Sequence, residues 1–461
     1  MITGGGRLGG MTVVDRVDRW VSGRPWPVTE FASPPPGLLP VPGDGGLPVI
    51  GHTVGILRRG VDFGLERYRR FGAVSWIRAF GVRMVTAVGP DAAQEVFANK
   101  DKAFSQQGWE YFLGPFFPRG LMLLDFEEHL FHRRLMQEAF TAPRIEGYLE
   151  RVAEVARRQV PAWSGTLAVY PRLKELTLDI AAEVFMGGPR DPRLTGAFVD
   201  VVRGGTALVR HPVPGGRWAA GLRGRRTLEA YFRTQLDNRR DGTDLFSALR
   251  HARLDDGATF SDDDVVNHMI FLMMAAHDTS TVAATAAVYH LAKHPEWQER
   301  ARAESAGLGD GPLGTVELDR LTTLDHVIKE SLRLVTPVPS LTREAVKDTE
   351  VLGHFVPAGT MVTLTPWLNH LLPEYWPDPH RFDPDRFAEG RREDKVHRYA
   401  WMPFGGGVHK CIGLHFGMYE IKTLLHEMLR QHSWSLPPGY EVSWDQTALP
   451  IPKDGLPVRF G

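Results

Sequence analysis

The chain has 461 residues, 43% hydrophobic and 24% charged, with a formal net charge of −1. That composition fits a globular protein with a large core, and a near-zero net charge gives no electrostatic case for a nucleic-acid partner. No stretch reaches the ~20 apolar residues of a membrane span, the N-terminus lacks the apolar region of a signal peptide, and a single cysteine excludes an internal disulfide. A soluble, cytoplasmic protein is expected.

Residues 1–45 are rich in Gly and Pro, ending in Pro34-Pro-Pro-Gly37 and Pro40-Val-Pro-Gly43, and read as an extended arm ahead of a single domain over 46–461. Gly4-Gly-Gly6-Arg-Leu-Gly9 matches the dinucleotide-binding fingerprint, but no strand can precede it, which removes that reading. A helix is predicted over Val61–Arg70, closed at Gly72. Strands follow at Ala73–Ile77 and Arg83–Val88, with a turn at Gly81. Helical periodicity then recurs over Asp91–Ala98, Glu127–Ala139, Ile145–Val160, Pro171–Phe185 and Thr227–Arg239. Ser261-Asp-Asp-Asp264 is a capping-box start for a long helix that reaches about Leu291. Beyond Val351 come short strands and proline-rich loops, then a last helix from Leu414 to Arg430. The fold class is mainly α with a small β region, and no internal repeat is present.

Four constellations carry chemistry. Cys411 sits in Phe404-Gly-Gly-Gly-Val-His-Lys-Cys411-Ile-Gly413, where glycines let backbone amides approach a sulfur or a flat ligand. His409 and Lys410 are expected to favour its thiolate, and one thiolate can serve as axial ligand to haem iron. In the long helix, Ala275-Ala-His-Asp278-Thr279-Ser280 puts polar groups in an apolar run. Thr279 can bond back to a carbonyl one turn earlier and position a water, Asp278 can relay protons from solvent, and small Ala275 and Ala276 leave room for a diatomic molecule. Glu330-Ser-Leu-Arg333 pairs charges on one helical face, and with Arg386 it is expected to form a structural network holding the Cys411 region. His129 and Arg133, four residues apart, join Arg343 and His409 as candidate partners for the two haem propionates.

These features occur in the order His129-x-x-x-Arg133, Ala275 to Ser280, Glu330-x-x-Arg333, then Cys411, and in this the sequence resembles the cytochrome P-450 superfamily of haem-thiolate monooxygenases over essentially its whole length. The resemblance implies haem b between the long central helix and the cysteine loop, Asp278 and Thr279 in proton delivery, and a hydrophobic substrate oxidised with O2. It also implies electrons from a separate ferredoxin and its reductase. Ala276 stands where the family commonly has Gly. A basic face for an acidic donor is expected from Arg134, Arg398, Lys410 and Lys422. The substrate pocket is expected to draw on Trp109–Phe112, Phe116, Phe117, Met273, Met274, Val282 and Val338–Leu341, with His211–Gly216 as a lid hinge. These residues suit a terpenoid, steroid, fatty acid or macrolide. A sterol 14α-demethylase-like enzyme, a peroxide-using or isomerising haem-thiolate enzyme, and a non-catalytic haem sensor are the alternatives.

Overall fold

The computed structural model describes residues 26–205, 207, 209–237, 242–309 and 311–461, so the Gly4–Gly9 motif and the end of the helix predicted to reach Arg239 lie outside the described residues. In chain order the first half contains β1 (Thr29–Glu30), β2 (Pro42–Asp44), α1 (Thr53–Phe71), β3 (Val74–Ala79), β4 (Val82–Ala87), α2 (Pro90–Ala98), β5 (Phe104–Ser105), α3 (Gln107–Leu113), α4 (Phe126–Gln137), α5 (Ala142–Gln159), β6 (Gly165–Ala168), α6 (Val169–Met186), α7 (Pro192–Gly205) and α8 (Arg217–Gln235). The second half contains α9 (Leu245–His251), α10 (Asp262–Lys293), α11 (Pro295–Ala306), α12 (Thr315–Asp319), α13 (Thr322–Leu334), β7 (Leu341–Ala345), β8 (Thr349–Val351), β9 (His354–Val356), β10 (Met361–Leu364), α14 (Pro366–Asn369) and α15 (Leu414–Gln431). Four short strands, β11 (Trp434–Ser435), β12 (Trp444–Asp445), β13 (Ile451–Pro452) and β14 (Pro457–Phe460), follow it.

Helix α10 is the axis of the molecule. Ser261 caps it by accepting the Asp264 backbone N–H at 3.1 Å, and three aspartates occupy its positive first turn. Nearly every residue from Val265 to Met273 and from Ser280 to Ala292 is buried, because α6, α13, α15 and α8 pack around it. Strands form a seven-stranded sheet in the order β1-β2-β3-β4-β10-β7-β5 beside this helical body. In it β10 runs parallel to β4 and antiparallel to β7, with Arg343 opposite Val362.

Several elements differ from the sequence expectation. The end of the Gly/Pro-rich stretch is not an unpacked arm: Pro42–Asp44 pairs with β3, Val41 is fully buried, and buried Asp44 binds His52 and accepts from Arg67 at 3.0 Å. Helix α1 begins eight residues before Val61 and kinks at Gly60, whose positive φ breaks the apolar period that marks only the second half. Helix α8 starts at Arg217 rather than Thr227, since the glycines and arginines of 217–226 hide its period. Helices α7 and α11 carry no predicted counterpart.

Two buried links tie the Cys411 region to this body. Glu330 and Arg333 on α13 form a two-point pair at 2.7 and 2.8 Å, and Arg386 reaches the same carboxylate at 3.3 Å; all three are buried. Arg333 also donates to the backbone carbonyls of His370 and Pro379, and Glu330 accepts the Asp383 N–H, so the network clamps the loops leading toward Cys411. On the other side, Ser280 of α10 donates to Glu420 of α15 at 2.6 Å. Burial pushes the Glu420 carboxyl up to about 7, against the Ser280 hydrogen bond and the charge of His277.

Replacing one member of a buried ion pair strands its partner without water. Arg333→Leu is therefore expected to lower unfolding stability by about 3–5 kcal/mol, read from denaturant midpoints, and a loss below about 1 kcal/mol would contradict the clamp. For Glu420 the native value lies above the ordinary 4.5, so its favourable contribution is fully present below pH 4.5 and is lost as pH rises through about 7. Glu420→Gln, which keeps an acceptor for Ser280, is expected to be more stable than the parent at pH 8 by about 2–3 kcal/mol and indistinguishable near pH 4. Equal pH profiles for the two proteins would refute this.

Candidate active site

The cysteine loop is shaped by close backbone approach. Gly405 and Gly407 take positive φ, and a Cβ at Gly407 would lie 2.3 Å from the Phe97 carbonyl at the end of α2. Cys411 donates its N–H to the Phe404 carbonyl at 2.9 Å, Phe404 packs edge-on to Trp401, and Gly413 directs its N–H to the Cys411 sulfur while capping α15. The Cys411 side chain is accessible, yet enough protein surrounds it that burial raises its thiol pKa. Accessible surface on a desolvated group means that it lines a space inside the protein. The Gly413 N–H, Arg133 and Lys410 pull toward thiolate without prevailing. His409, expected to add charge here, does not: burial and neighbouring cations hold it neutral, with a pKa down at about 2.

Four donors converge next to this loop. His129 and Arg133 come from α4, Arg343 from β7, and His409 from the loop itself. The His129 and His409 rings lie 3.7 Å apart between centroids, tilted by 33°. Burial, then Arg133 and Arg343, lowers His129 to about 4, and burial lowers buried Arg343 to about 10 with Asp125 opposing. Asp125 is itself taken up by Ser105 and by the Gln106 N–H, and lies 3.9 Å from His409, outside hydrogen-bond reach. Arg343 donates to the adjacent Thr342 carbonyl, while the Nδ1 atoms of His129 and His409 are buried with no hydrogen-bond partner among the described residues. A desolvated donor set with orphaned ring nitrogens suits a ligand that brings its own carboxylates. Helix α3 reaches this cluster because Gly108 rests on the Arg343 backbone, where a Cβ would come within 2.5 Å of its carbonyl.

On α10 the strip Met274, Ala275, Ala276 and Thr279 is only partly buried, in the middle of a helix closed on its other sides. Thr279 donates its hydroxyl to the Ala275 carbonyl at 2.8 Å. Asp278 turns away from this strip toward α6, where Lys174 donates to it at 3.0 Å and the His277 Nε2 lies at 3.2 Å. Burial disfavours its charge, but the His277 hydrogen bond and the charges of His277 and Lys174 outweigh it and hold Asp278 down at about 2. Lys174 lies 104 residues away, and nothing in the sequence near it signals that role. Glu420 left a trace, a lone acid in the apolar run Phe416–Ile421.

Other expected positions divide. Trp109, Phe112, Met274, Val338 and Leu341 are partly buried, whereas Phe116, Phe117 and Val282 are closed into the core and Met273 is nearly so. Phe116 is spent on Trp218, and Val282 packs with Ala286 and Val335, so these are packing residues rather than pocket lining. Arg134, Arg398 and Lys410 are exposed. Lys422 is not part of a basic surface: it faces inward from α15, paired with Asp325 at 3.0 Å. His211–Gly216 forms a hydrogen-bonded turn between α7 and α8. Among the described residues no helix is long and apolar enough to cross a membrane.

The sequence profile described as Cytochrome P450 matches residues 40–193 and 226–454. Cytochrome P450 136 of Mycobacterium tuberculosis is 51% identical over 450 residues, covering 94% of this chain and 91% of that protein. Abscisic acid 8'-hydroxylase 3 of Oryza sativa is 28% identical over 441 residues, covering 91% and 86%. The solved structure of cyanobacterial CYP120A1 with retinoic acid bound superposes with a TM-score of 0.83 at 29% identity, covering 91% of this chain and 98% of that one. The loop, the long helix and the buried clamp thus belong to one known architecture, and the chain is a member of the cytochrome P450 family of haem-iron monooxygenases.

Proposed function

We propose that the chain binds haem b through Cys411 and inserts one oxygen atom of O2 into a bulky hydrophobic substrate, drawing electrons from a separate ferredoxin and ferredoxin reductase. The observation that carries this reading is the pairing of an open, desolvated Cys411 thiol with four convergent donors beside which Asp125 is already bonded to Ser105 and the Gln106 N–H. In it, His129, Arg133, Arg343 and His409 hold the propionates, and Phe404, Gly413 and Ala275 line the macrocycle. Bound haem iron supplies the activation of O2, and a thiolate ligand favours O–O cleavage. Glu330, Arg333 and Arg386 keep the cysteine loop in register and touch no reactant.

The protein's own part is proton handling and substrate placement. Thr279 spends its hydroxyl hydrogen on the Ala275 carbonyl, which leaves its oxygen free to accept a hydrogen bond from water on the open strip. Asp278, with a pKa near 2, is ionised at neutral pH and is a weak proton source by itself. Lys174, one-third exposed and bonded to it, is the contact with solvent through which this carboxylate is resupplied. Partly open Trp109, Phe112, Met274, Val338 and Leu341 offer an apolar wall. Among hydrophobic classes an isoprenoid is favoured, since abscisic acid and retinoic acid, named for two of the relatives, are both of that kind. Exposed Arg134, Arg398 and Lys410 support an acidic electron donor docking on the cysteine side. A cysteine that must remain reduced to serve as ligand supports a cytoplasmic location.

Purified holoprotein supplied with ferredoxin, reductase and NADH is expected to consume NADH in proportion to hydroxylated product. In Thr279→Ala electrons still flow, but product per NADH falls roughly ten-fold and peroxide rises to match. Unchanged coupling in that variant would remove Thr279 from proton delivery, and a parent protein that never couples NADH to product would remove the monooxygenase reaction.

A further inference from the structure

Arg210, between α7 and α8, is a cation with an unusual set of neighbours. Its guanidinium carbon lies 4.5 Å from the Tyr111 ring centroid, 4.6 Å from that of Trp218 and 5.9 Å from that of Phe112. Its Nη2 donates to the backbone carbonyls of Tyr111 and Phe112, at the end of α3. No carboxylate lies within ion-pair reach of it among the described residues, and burial lowers its pKa with only the Tyr111 phenol opposing. Nε and Nη1 have no partner among the described residues, so one edge of the planar fork is uncommitted.

A partly buried, uncompensated arginine ringed by aromatics is poorly explained as a surface latch. Latching two segments needs only the aromatic contact and the carbonyl bonds, and any long side chain facing water would incur less desolvation. The position is informative too. Helix α3 is seven residues long; its start rests on Arg343 of the propionate cluster and its end carries Arg210. Its partly open Trp109, Phe112 and Leu113 therefore span the interval between the two arginines.

Building on the proposed hydrophobic-substrate reaction, we infer that Arg210 is the specificity-determining residue for a substrate carboxylate. The substrate is an isoprenoid or similarly long hydrocarbon acid, held at its acid end by the uncommitted edge of the guanidinium and laid along α3 so that its far, apolar end is presented for oxidation. A guanidinium matches a carboxylate in a planar two-point bond, whereas a lysine supplies a point charge without the fork. The aromatic rings fix the fork in place before the substrate arrives, which lowers the ordering loss on binding. Oxidation then falls at the end of the molecule remote from its acid group.

The test is a spin-state titration of the haem band in purified holoprotein with matched pairs: retinoic acid against methyl retinoate, and abscisic acid and palmitic acid against their methyl esters. The parent is expected to bind at least one acid about 10–100 times more tightly than its ester, the value of a charge-assisted two-point bond. Arg210→Ala is expected to erase that ratio by weakening the acid and leaving the ester unchanged, with Arg210→Lys between the two. Equal weakening of acid and ester would make Arg210 a structural latch and overturn the inference. So would a parent that prefers esters or shifts with none of the acids. Either result leaves the thiolate spectrum and NADH coupling untouched, so failure here is separable from failure of the monooxygenase reading.

Discussion

Uncompensated positive charge inside the protein is the constraint on which the rest depends. Arg343 is buried, Arg133 is half-buried, and Asp125, a carboxylate beside them, is committed to Ser105 and Gln106. Isolated buried charge costs several kcal/mol even after the protein relaxes. A fold that gathers such groups from α4, β7 and the cysteine loop is stable only with a dianionic partner among them, or at the expense of its own stability. The two histidines answer the same constraint differently: by staying neutral, they donate without adding charge.

Holding that partner requires a rigid frame, which the two buried links on either side of the cysteine provide. Glu330 pairs with both Arg333 and Arg386, and Glu393 supplies Arg386 with its second carboxylate at 2.7 Å. The network satisfies at least four loop backbone groups, so a segment with little regular structure acquires a fixed position. The Ser280–Glu420 bond joins the long helix to the helix that begins just after Cys411. Because its acid is protonated at mildly acidic pH and ionises across neutrality, the link is a neutral hydrogen bond on the acid side and a charge-assisted one above about pH 7. Burial raises both Asp278 and Glu420, yet they end on opposite sides of the ordinary acid value. The His277 hydrogen bond and the charges of His277 and Lys174 overcome burial at Asp278, whereas the Ser280 hydroxyl and the charge of His277 do not overcome it at Glu420.

Much of this was legible in the chain, for local reasons. Helix α10 announces itself through Ser261 and three aspartates, and the Cys411 loop through glycines whose backbone angles and close contacts other residues do not tolerate. The Glu330–Arg333 spacing puts both groups on one face of α13. What escaped depends on pairing at a distance. Lys174 neutralises Asp278 from another helix, and Lys422 looks like surface charge until α15 turns it toward Asp325. Phe116 and Val282 have the composition of pocket residues, yet Trp218 and Val335 close over them. Apolar character alone does not separate core from cavity, because both favour the same side chains. The arm before residue 46 misled for the opposite reason: prolines and glycines conceal Pro42–Asp44, which enters the sheet through backbone hydrogen bonds that side-chain pattern does not record.

The central claim is that Cys411 supplies a thiolate to haem iron within this charged frame. The most direct measurement is the absorption spectrum of the purified, reduced protein with carbon monoxide, beside that of Cys411→Ala. The account predicts the band position of thiolate-ligated haem in the parent and its loss in the variant. A parent whose band lies where histidine-ligated haem absorbs, or a variant that keeps the thiolate band, would contradict it.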